Sequence, residues 1–399
     1  MDSKLLNATF FEQILLTDDP TVKVTKIIVK SGSDEIDHYG SEMLRILVIY
    51  NNSKSADLEL HLIVKAMPVE EGLKKTTLEN NKVFDVEVKV YKEVIPVFEK
   101  YLKLLNESNS LNCKCFLASM NPQPMLVFED LGEKGFKRIV RRAGNKDVAM
   151  KALDKIAKWH ALSFKANADG HQKFKEFSNG FFTKNDWKEI PIFKDGFKFF
   201  LEMLKSRQEF EAFVPKFEKY INEDPLTKTQ DALKYKNMNW LVLNMGDIHY
   251  GNLMFSEKEG SVDDVMLFDY QLTFWGPAVS DLIYVLYMYI DSDERILKRD
   301  EIIYKYFKVF TETLRGLNHS GEYPKLTDLH KDFLSFKAFE IMMTTCLLPF
   351  GSIDEDFGKI DIGLLMGSDE ARKNLYTRAK YLQEIREILP FFLHRGYLE

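Results

Sequence analysis

The sequence predicts an α+β fold in which a small sheet-bearing lobe precedes a larger, mainly helical lobe. Three strand-like runs separated by turn-rich segments occupy residues 21–67, whereas long stretches with helical periodicity follow from about residue 136. Alternation with period two is typical of strands, and apolar residues every three to four positions are typical of helices. At 399 residues the chain is too long for one small domain. We therefore expect an N-terminal lobe of residues 1–128 and a C-terminal lobe of residues 129–399.

The third strand-like run, LELHLIVKAM, predicts which side chains share a face of the sheet. Side chains alternate between the two faces of a strand, so Leu62 and Val64 fall on the main apolar face. Lys65 falls on the opposite face. The antiparallel meander of the first lobe thus presents a lysine away from its apolar layer.

A helical stretch follows, TLENNKVFDVEVKVYKEVIP, which we expect to end at Pro96. Phe84, Val88 and Tyr91 recur in it at helical spacing, and Glu87 lies on the same stripe as Phe84. A helix docked on the sheet could join Glu87 to Lys65, although two unrelated surface charges explain these residues equally well. A loop with two cysteines comes next, followed by the strand-like run PMLVFEDLG, which predicts an exit into a connector.

The segment NMGDIHYGNLMF carries the strongest signal for chemistry. We interpret NLMF and VMLF as the two strands of a hairpin, in a register where Asn252 faces Asp269. Asp247 lies in the loop that enters this hairpin. The oxygen atoms of Asn252 and Asp269 suit Mg²⁺, and an aspartate free of the metal can accept a proton from an attacking hydroxyl.

Each of these three residues also has an ordinary structural explanation. Asp247 could cap a turn, Asn252 could occupy a tight turn after Gly251, and Asp269 could be a strand-end acid. For any one residue the structural explanation is favoured, whereas the three together favour a functional site.

Composition excludes several classes of protein. The net charge of −6 gives no broad attraction for nucleic acid, and three cysteines without clustered histidines do not form a zinc site. The N-terminus lacks the apolar core of a signal peptide, and the apolar run Leu282 to Ile290 is too short to span a membrane. We expect a cytoplasmic protein with no membrane span.

Seven segments, in order, resemble the ecdysteroid-kinase-like family of insects, also called CHK-kinase-like. That family is similar to choline kinases and aminoglycoside phosphotransferases and has the protein-kinase-like fold. The segments are DHYGSEMLRILVIY, LIVKAMP, FDVEVKVYKEVIP, LVFEDLGEKGF, IAKWHALSF, MGDIHYGNLMF and LFDYQLTFWGPAVSDLIYVL. They cover most of the chain, and as an ordered set they are much more specific than any single motif.

The resemblance implies an ATP-dependent kinase that phosphorylates an alcohol of a small molecule, with a steroid alcohol as the family-level acceptor. In the first lobe it implies that Lys65 binds the ATP phosphates and that Glu87 pairs with Lys65. The segment from Phe128 to Leu131 resembles the hinge, so the backbone around Glu129 and Leu131 would meet adenine.

In the second lobe the resemblance implies that Asp247 is the catalytic base. Asn252 and Asp269 would then be Mg²⁺ ligands, and Asp281 would hold the backbone of the catalytic loop. Asp281 could equally be an ordinary buried aspartate at the start of a helix, with no role in the catalytic loop.

The sequence departs from the family pattern at two positions. Met245 stands where the family usually has histidine, and His249 stands where many relatives have tryptophan. We interpret His249 as a substituted packing position. Met245 favours an alternative in which the chain is a catalytically weak, pseudokinase-like protein that binds nucleotide or ligand. The nucleotide-covering loop EIDHYGSEM contains only Gly40, so nucleotide contacts there are weakly specified.

Overall fold

The structure is a computed structural model of the chain. It describes residues 5–16, 19–31, 41–80, 82–107, 111–139, 146–178, 180–183, 186–234, 240–351 and 362–399. Most of the predicted nucleotide-covering loop, residues 35–40, lies outside this part of the chain.

The chain divides into two compact units. The sheet unit comprises Met1–Glu99, Asn109–Lys137 and Phe255–Gln271, and the helical unit comprises Lys100–Ser108, Arg138–Met254 and Leu272–Glu399. An antiparallel sheet in one unit and mainly helices in the other confirm the predicted α+β class. The lobe boundary at residue 128 stays a prediction.

The strands are, in chain order, β1 (Lys23–Ser31), β2 (Glu42–Asn51), β3 (Leu58–Ala66), β4 (Cys115–Ser119), β5 (Met125–Glu129), β6 (Lys137–Arg138), β7 (Leu241–Asn244), β8 (Leu253–Lys258), β9 (Ser261–Leu267) and β10 (Phe274–Pro277).

The α-helices are, in chain order, α1 (Ala8–Leu15), α2 (Leu73–Asn80), α3 (Val83–Lys89), α4 (Ile95–Leu104), α5 (Lys146–Ala168), α6 (Pro191–Lys194), α7 (Gly196–Lys205), α8 (Val214–Asn222), α9 (Pro225–Ala232), α10 (Val279–Met288), α11 (Ser292–Leu297), α12 (Arg299–Gly316), α13 (Leu326–Ser335), α14 (Lys337–Met342), α15 (Leu348–Gly351), α16 (Ile362–Gly367), α17 (Asp369–Leu375) and α18 (Ala379–His394).

The sheet unit is built on five antiparallel strands in the order β1-β2-β3-β5-β4. Leu62 and Val64 of β3 lie in a core that also contains Phe11 and Ile14 of α1, so the predicted apolar face is buried. Alternation then places Lys65 on the other face, as the sequence predicts. The prediction of a loop around both cysteines is wrong in part, because Cys115 begins β4.

The helix that we expected to end at Pro96 continues to Leu104. A π-helical turn, Val90–Val94, precedes the proline, and its widened bonding is closed by Ile95 N–H donating to the Val90 carbonyl. Proline normally stops a helix because it lacks an N–H and its ring clashes with the carbonyl four residues earlier. Placed at the start of α4, immediately after the wide turn, Pro96 is accommodated.

The same arrangement recurs in the helical unit. Pro349 of α15 follows the π turn Met343–Leu347 with the same two-residue spacing. The Thr345 carbonyl, which a residue other than proline at position 349 could bond, instead accepts a hydrogen bond of 2.8 Å from the Tyr376 hydroxyl. Tyr376 thus satisfies a carbonyl that the proline leaves open.

The helical unit surrounds helix α10, all ten residues of which are buried. Helix α5 packs against α12 and β7, and α14 packs against α9. Strands β7 and β10 form a small antiparallel sheet in which Asn244 pairs with Phe274. The periodicity of this region predicted helices and the β8–β9 hairpin, but it gave no signal for β10.

A buried ion pair lies inside the helical unit. The Arg299 guanidinium contacts the Glu340 carboxylate at 2.9 Å, and the hydroxyls of Tyr287 and Tyr397 donate to the same carboxylate at 2.7 and 3.0 Å. Arg299 and Glu340 are almost fully buried. A buried carboxylate with this many donors is compensated, whereas either charge alone would be costly.

Within the part of the chain that the structure describes, no single helix is long and apolar enough to cross a membrane. One pair of helical segments, Leu326–Ser335 and Lys337–Gly351, passes the length and composition criteria together, but the two are bent by 59°.

Replacing Glu340 by glutamine should destabilise the helical unit by about 3 to 5 kcal/mol, because Arg299 would then be buried without a counter-charge. All four tryptophans lie in this unit, so urea unfolding followed by tryptophan fluorescence reports it directly. The double variant Arg299→Met/Glu340→Gln should recover part of the loss.

The matched control is Glu202→Gln, which removes the partner of Lys373 from a half-exposed surface pair. That change should alter stability by less than about 1 kcal/mol. A loss at Glu340 no larger than at Glu202 would contradict the role given to the buried pair.

Candidate functional site

The sheet unit brings Lys65 and Glu87 together. Lys65 Nζ donates to Glu87 Oε2 at 2.6 Å, and both residues are buried. Lys65 pairs with Met43 on β2 and Leu126 on β5, so the strand that carries it is held on both sides. Glu87 belongs to the buried face of α3. The surface-charge explanation of these two residues is therefore wrong.

Lys65 also reaches Asp269, which follows β9. Lys65 Nζ donates to Asp269 Oδ1 at 2.7 Å, so one ammonium group bonds two carboxylates. Asp269 has a backbone φ of +67°, in the left-handed region, and its side chain remains partly exposed. The backbone N–H of the next residue, Tyr270, donates to Glu87. The turn after β9 is thus bonded to both members of the Lys65–Glu87 pair.

The charges of this triangle perturb one another. Burial disfavours the ammonium form of Lys65, but the Asp269 and Glu87 carboxylates outweigh it and raise the pKa of Lys65. Burial raises the pKa of Glu87 to about 7, against the opposing effect of Lys65. Lys65 therefore stays charged at neutral pH and can offer its charge to an incoming anion.

In the helical unit, Asp247 lies in the loop between β7 and β8. Asn252 Nδ2 donates to the Asp247 carbonyl at 3.0 Å and contacts its carboxylate Oδ2 at 3.4 Å. The amide nitrogen of Asn252 thus faces Asp247. Asn252 Oδ1 is then the atom of this side chain that could bind a cation.

The carboxylate of Asp281, in α10, is hydrogen-bonded to the backbone of this loop. Its Oδ2 accepts from Met245 N–H at 2.7 Å and its Oδ1 accepts from Gly246 N–H at 3.1 Å, and the side chain is 0% exposed. These bonds confirm the expectation that Asp281 holds the loop backbone. They also give two buried backbone N–H groups an acceptor, which these groups would otherwise lack.

Sequence reasoning missed His160, although it lies in the IAKWHALSF segment. His160 of α5 is fully buried, with Nε2 at 3.1 Å from Asp281 Oδ2 and Nδ1 at 2.8 Å from the Tyr306 hydroxyl. It links α5 and α12 to the aspartate that holds the loop. The available signal was a histidine within the apolar stripe of a helix, which is more often an ordinary core residue.

The two departures from the family pattern have different surroundings. Met245 has a buried side chain, while its backbone N–H is bonded to Asp281. The loop is therefore attached to α10 without a histidine at this position. The interpretation of His249 as a packing position stays a prediction: its side chain is 40% exposed, and its ring lies against Gly251.

In the predicted hinge, two backbone N–H groups are hydrogen-bonded and a third has no acceptor among the described residues. Glu129 N–H donates to the Lys114 carbonyl, and Asp130 N–H donates to the His61 carbonyl, both at 3.0 Å. The Glu129 carboxylate accepts from Lys114 N–H and pairs with Lys134. Leu131 begins a 3₁₀ turn, and no described residue accepts a hydrogen bond from its N–H.

The sequence also predicted that Asn252 and Asp269 lie side by side. Strands β8 and β9 are neighbours in a three-stranded sheet, as the hairpin prediction requires. Asn252 belongs to the helical unit and Asp269 to the sheet unit, and their closeness stays a prediction. Among the described residues, no group of three or more His, Cys, Asp or Glu could by itself hold a metal ion.

The ecdysteroid kinase-like family matches residues 35–319 of the chain. No curated protein matches it. Among solved structures, a Ralstonia eutropha JMP134 protein assigned as an aminoglycoside phosphotransferase is similar over 98% of each chain, with 10% identity and a TM-score of 0.44.

A second solved structure is the GDP complex of an aminoglycoside phosphotransferase variant. It covers 92% of this chain and 98% of its own, with 12% identity and a TM-score of 0.36.

Replacing Gly246 by alanine should distort the loop that holds Asp247. Gly246 has a φ of +83°, and a Cβ there would lie 2.1 Å from the Leu272 carbonyl oxygen. We expect a loss of about 3 kcal/mol, from left-handed strain plus the backbone clash. Urea unfolding followed by tryptophan fluorescence measures it.

Gly170→Ala is the matched control, since Gly170 lies in the same unit with a φ of +95° and has nothing within 4 Å of the added Cβ. Strain alone should cost about 1 kcal/mol there. Equal losses at the two positions would show that the contact with Leu272 does not matter.

Proposed function

Because the chain belongs to the ecdysteroid kinase-like family, we propose that it is an ATP-dependent kinase that transfers the γ-phosphate to an alcohol of a small molecule. A steroid alcohol is the first acceptor class to test. The observation that carries the proposal is the position of the Lys65 ammonium group. It is buried and forms ion pairs with the Glu87 carboxylate at 2.6 Å and with the Asp269 carboxylate at 2.7 Å. A lysine fixed in this way supplies a positioned positive charge for nucleotide phosphates.

The nucleotide's base is assigned to the hinge. None of the residues that the structure describes accepts a hydrogen bond from Leu131 N–H, whereas the preceding N–H groups of Glu129 and Asp130 are bonded within the sheet unit. A backbone N–H of this kind can donate to an acceptor nitrogen of the adenine ring. This supports Leu131 as the residue that contacts adenine, with Glu129 holding the segment through Lys114 and Lys134.

Asp247 is assigned as the base that orients the acceptor hydroxyl and takes its proton. The carboxylate is held from one side by Asn252, and the loop that carries it is bonded to Asp281. Phosphoryl transfer depends mainly on positioning and electrostatics, so a restrained carboxylate suits this role. Burial, together with the Asp247 carboxylate, raises the pKa of Tyr284 and Tyr289, so these neighbouring phenols stay protonated.

Mg²⁺ is proposed as the metal, with Asn252 and Asp269 as its ligands. The donor set fits, because an amide oxygen and a partly exposed carboxylate oxygen are hard ligands, and Mg²⁺ commonly takes few ligands from the protein. When bound, the ion would supply positive charge that offsets the charge of the nucleotide phosphates.

The remaining proposals follow from the same assignment. The partner is a small-molecule alcohol, and neither nucleic acid nor a membrane span is part of the function. We propose a cytoplasmic location, where ATP is available.

The direct test is Mg²⁺-dependent transfer of labelled γ-phosphate from ATP to steroid alcohols, choline and other small alcohols. We expect transfer to at least one steroid alcohol. Asp247→Asn should lower kcat by about 100-fold or more, because it removes the proton acceptor, while nucleotide affinity changes less than twofold.

Full activity of Asp247→Asn would remove Asp247 as the base. Nucleotide binding without transfer to any acceptor would favour the alternative, a pseudokinase-like protein, for which Met245 is the sequence feature.

The phosphate role of Lys65 has its own test. Lys65→Met should weaken ADP binding, measured by calorimetry, by at least about tenfold, since a charge-assisted hydrogen bond is lost. It also leaves two carboxylates without their cation, so Lys65→Met/Glu87→Gln should recover thermal stability without recovering affinity.

Lys26→Met, on an exposed position of β1, is the control and should bind ADP normally. Normal ADP binding by Lys65→Met would contradict the phosphate role.

A further inference from the structure

The ring of His249 is fixed by Gly251. Gly251 N–H donates to His249 Nδ1 at 3.1 Å. A Cβ on residue 251 would lie 2.7 Å from His249 Cε1, so the ring occupies space that only glycine leaves open. Because Nδ1 accepts a hydrogen bond, the proton of the neutral imidazole is on Nε2.

The backbone of His249 is fixed as well. Its carbonyl accepts from Asn252 N–H at 2.9 Å and from the Tyr289 hydroxyl at 3.1 Å. Ring and backbone are thus held by three separate donors. A half-exposed histidine held at both ends differs from the many surface histidines that sample several rotamers.

His249 Nε2 lies 3.9 Å from Asp247 Oδ2. This separation is longer than a direct hydrogen bond, and one bridging water or a small ring rotation would complete the contact. Asn252 Nδ2 approaches the same oxygen at 3.4 Å. The two N–H groups therefore approach one oxygen of the carboxylate.

We propose that His249 is a positioning residue whose Nε2–H orients the Asp247 carboxylate, so that its second oxygen meets the acceptor hydroxyl. The proposal rests on the proposed function for Asp247 as base. A carboxylate with one oxygen restrained loses rotational freedom, and small errors in such alignment reduce phosphoryl transfer strongly.

Two variants separate the two nitrogens of the ring. The side-chain oxygen of asparagine can replace Nδ1 and keep the bond to Gly251, but it leaves no donor at Nε2. Glutamine places an amide N–H where Nε2–H was. We expect His249→Asn to lower kcat by about tenfold with the acceptor KM unchanged, and His249→Gln to recover most of that loss.

The control is His394→Asn, an exposed histidine at the end of α18, which should behave as the unchanged protein. Equal activity of His249→Asn and the unchanged protein would overturn the proposal. Equal losses in both His249 variants, with lowered thermal stability, would also overturn it, because they would indicate a purely structural role.

A second measurement does not depend on phosphate transfer. In protein labelled with ¹⁵N-histidine, the signals lost in His249→Asn identify the His249 ring. At about pH 8, where an ordinary histidine is neutral, we expect the Nε2–H tautomer, with a shift that changes in Asp247→Asn. The Nδ1–H tautomer, or no change in Asp247→Asn, would overturn the proposal.

The two measurements distinguish two failures. The expected tautomer and shift, in a protein that phosphorylates no acceptor, would support the His249–Asp247 contact and reject only the proposed function. Transfer that depends on Asp247 but not on His249 would reject only the positioning role.

Discussion

The position of the Asp247 loop in the helical unit depends on the hydrogen bonds that the Asp281 carboxylate accepts from the loop backbone. A fully buried aspartate is tolerable only when its oxygens are bonded, and here two backbone N–H groups and His160 surround it. Because those N–H groups belong to the two residues before Asp247, the aspartate fixes where the loop starts. His160 and Tyr306 extend the same network into α5 and α12, the long helices of the unit. The start of the loop is therefore positioned by the core, and short-range bonds within the loop hold the residues that follow.

The sheet unit solves a different problem, that of holding a cation. Lys65 is the single positive group between two carboxylates, one from a helix and one from a turn. Neither carboxylate is on a neighbouring strand, so the lysine is not fixed by the sheet alone. The position of the Lys65 ammonium group depends on α3 and the turn after β9, which both pack on the face of β3 that carries the lysine. The charge survives burial because the carboxylates outweigh the desolvation that opposes it.

Local periodicity could predict the parts of the fold in which one rule dominates. Alternation along β3 was enough to separate Val64 from Lys65, and helical spacing was enough to place Glu87 on a buried stripe. The interpretation failed where a second interaction overrode the local rule. A proline such as Pro96 would normally end a regular helix, but the π turn before it removes the steric and hydrogen-bonding conflict. The sequence VYKEV contains no pattern that predicts such a turn. His160 escaped notice because its function depends on Asp281, 121 residues away, and a single sequence does not show that pairing. The placement of the His249 ring likewise depends on Gly251, whose missing side chain leaves room for the ring.

The left-handed backbone of Asp269 restricts which residues can occupy that position, quite apart from charge. Besides glycine, asparagine and aspartate visit this conformation more readily than most residues, because their short polar side chains can bond the local backbone. Glutamate would bring the same charge at a higher conformational cost, although Glu259 shows that this chain accepts a glutamate in the left-handed region elsewhere. Of the possible replacements of Asp269, asparagine keeps the turn and a side-chain oxygen, and glycine keeps the turn alone. Either replacement would remove the carboxylate that Lys65 bonds and still leave the backbone of this turn in a conformation that the new residue tolerates.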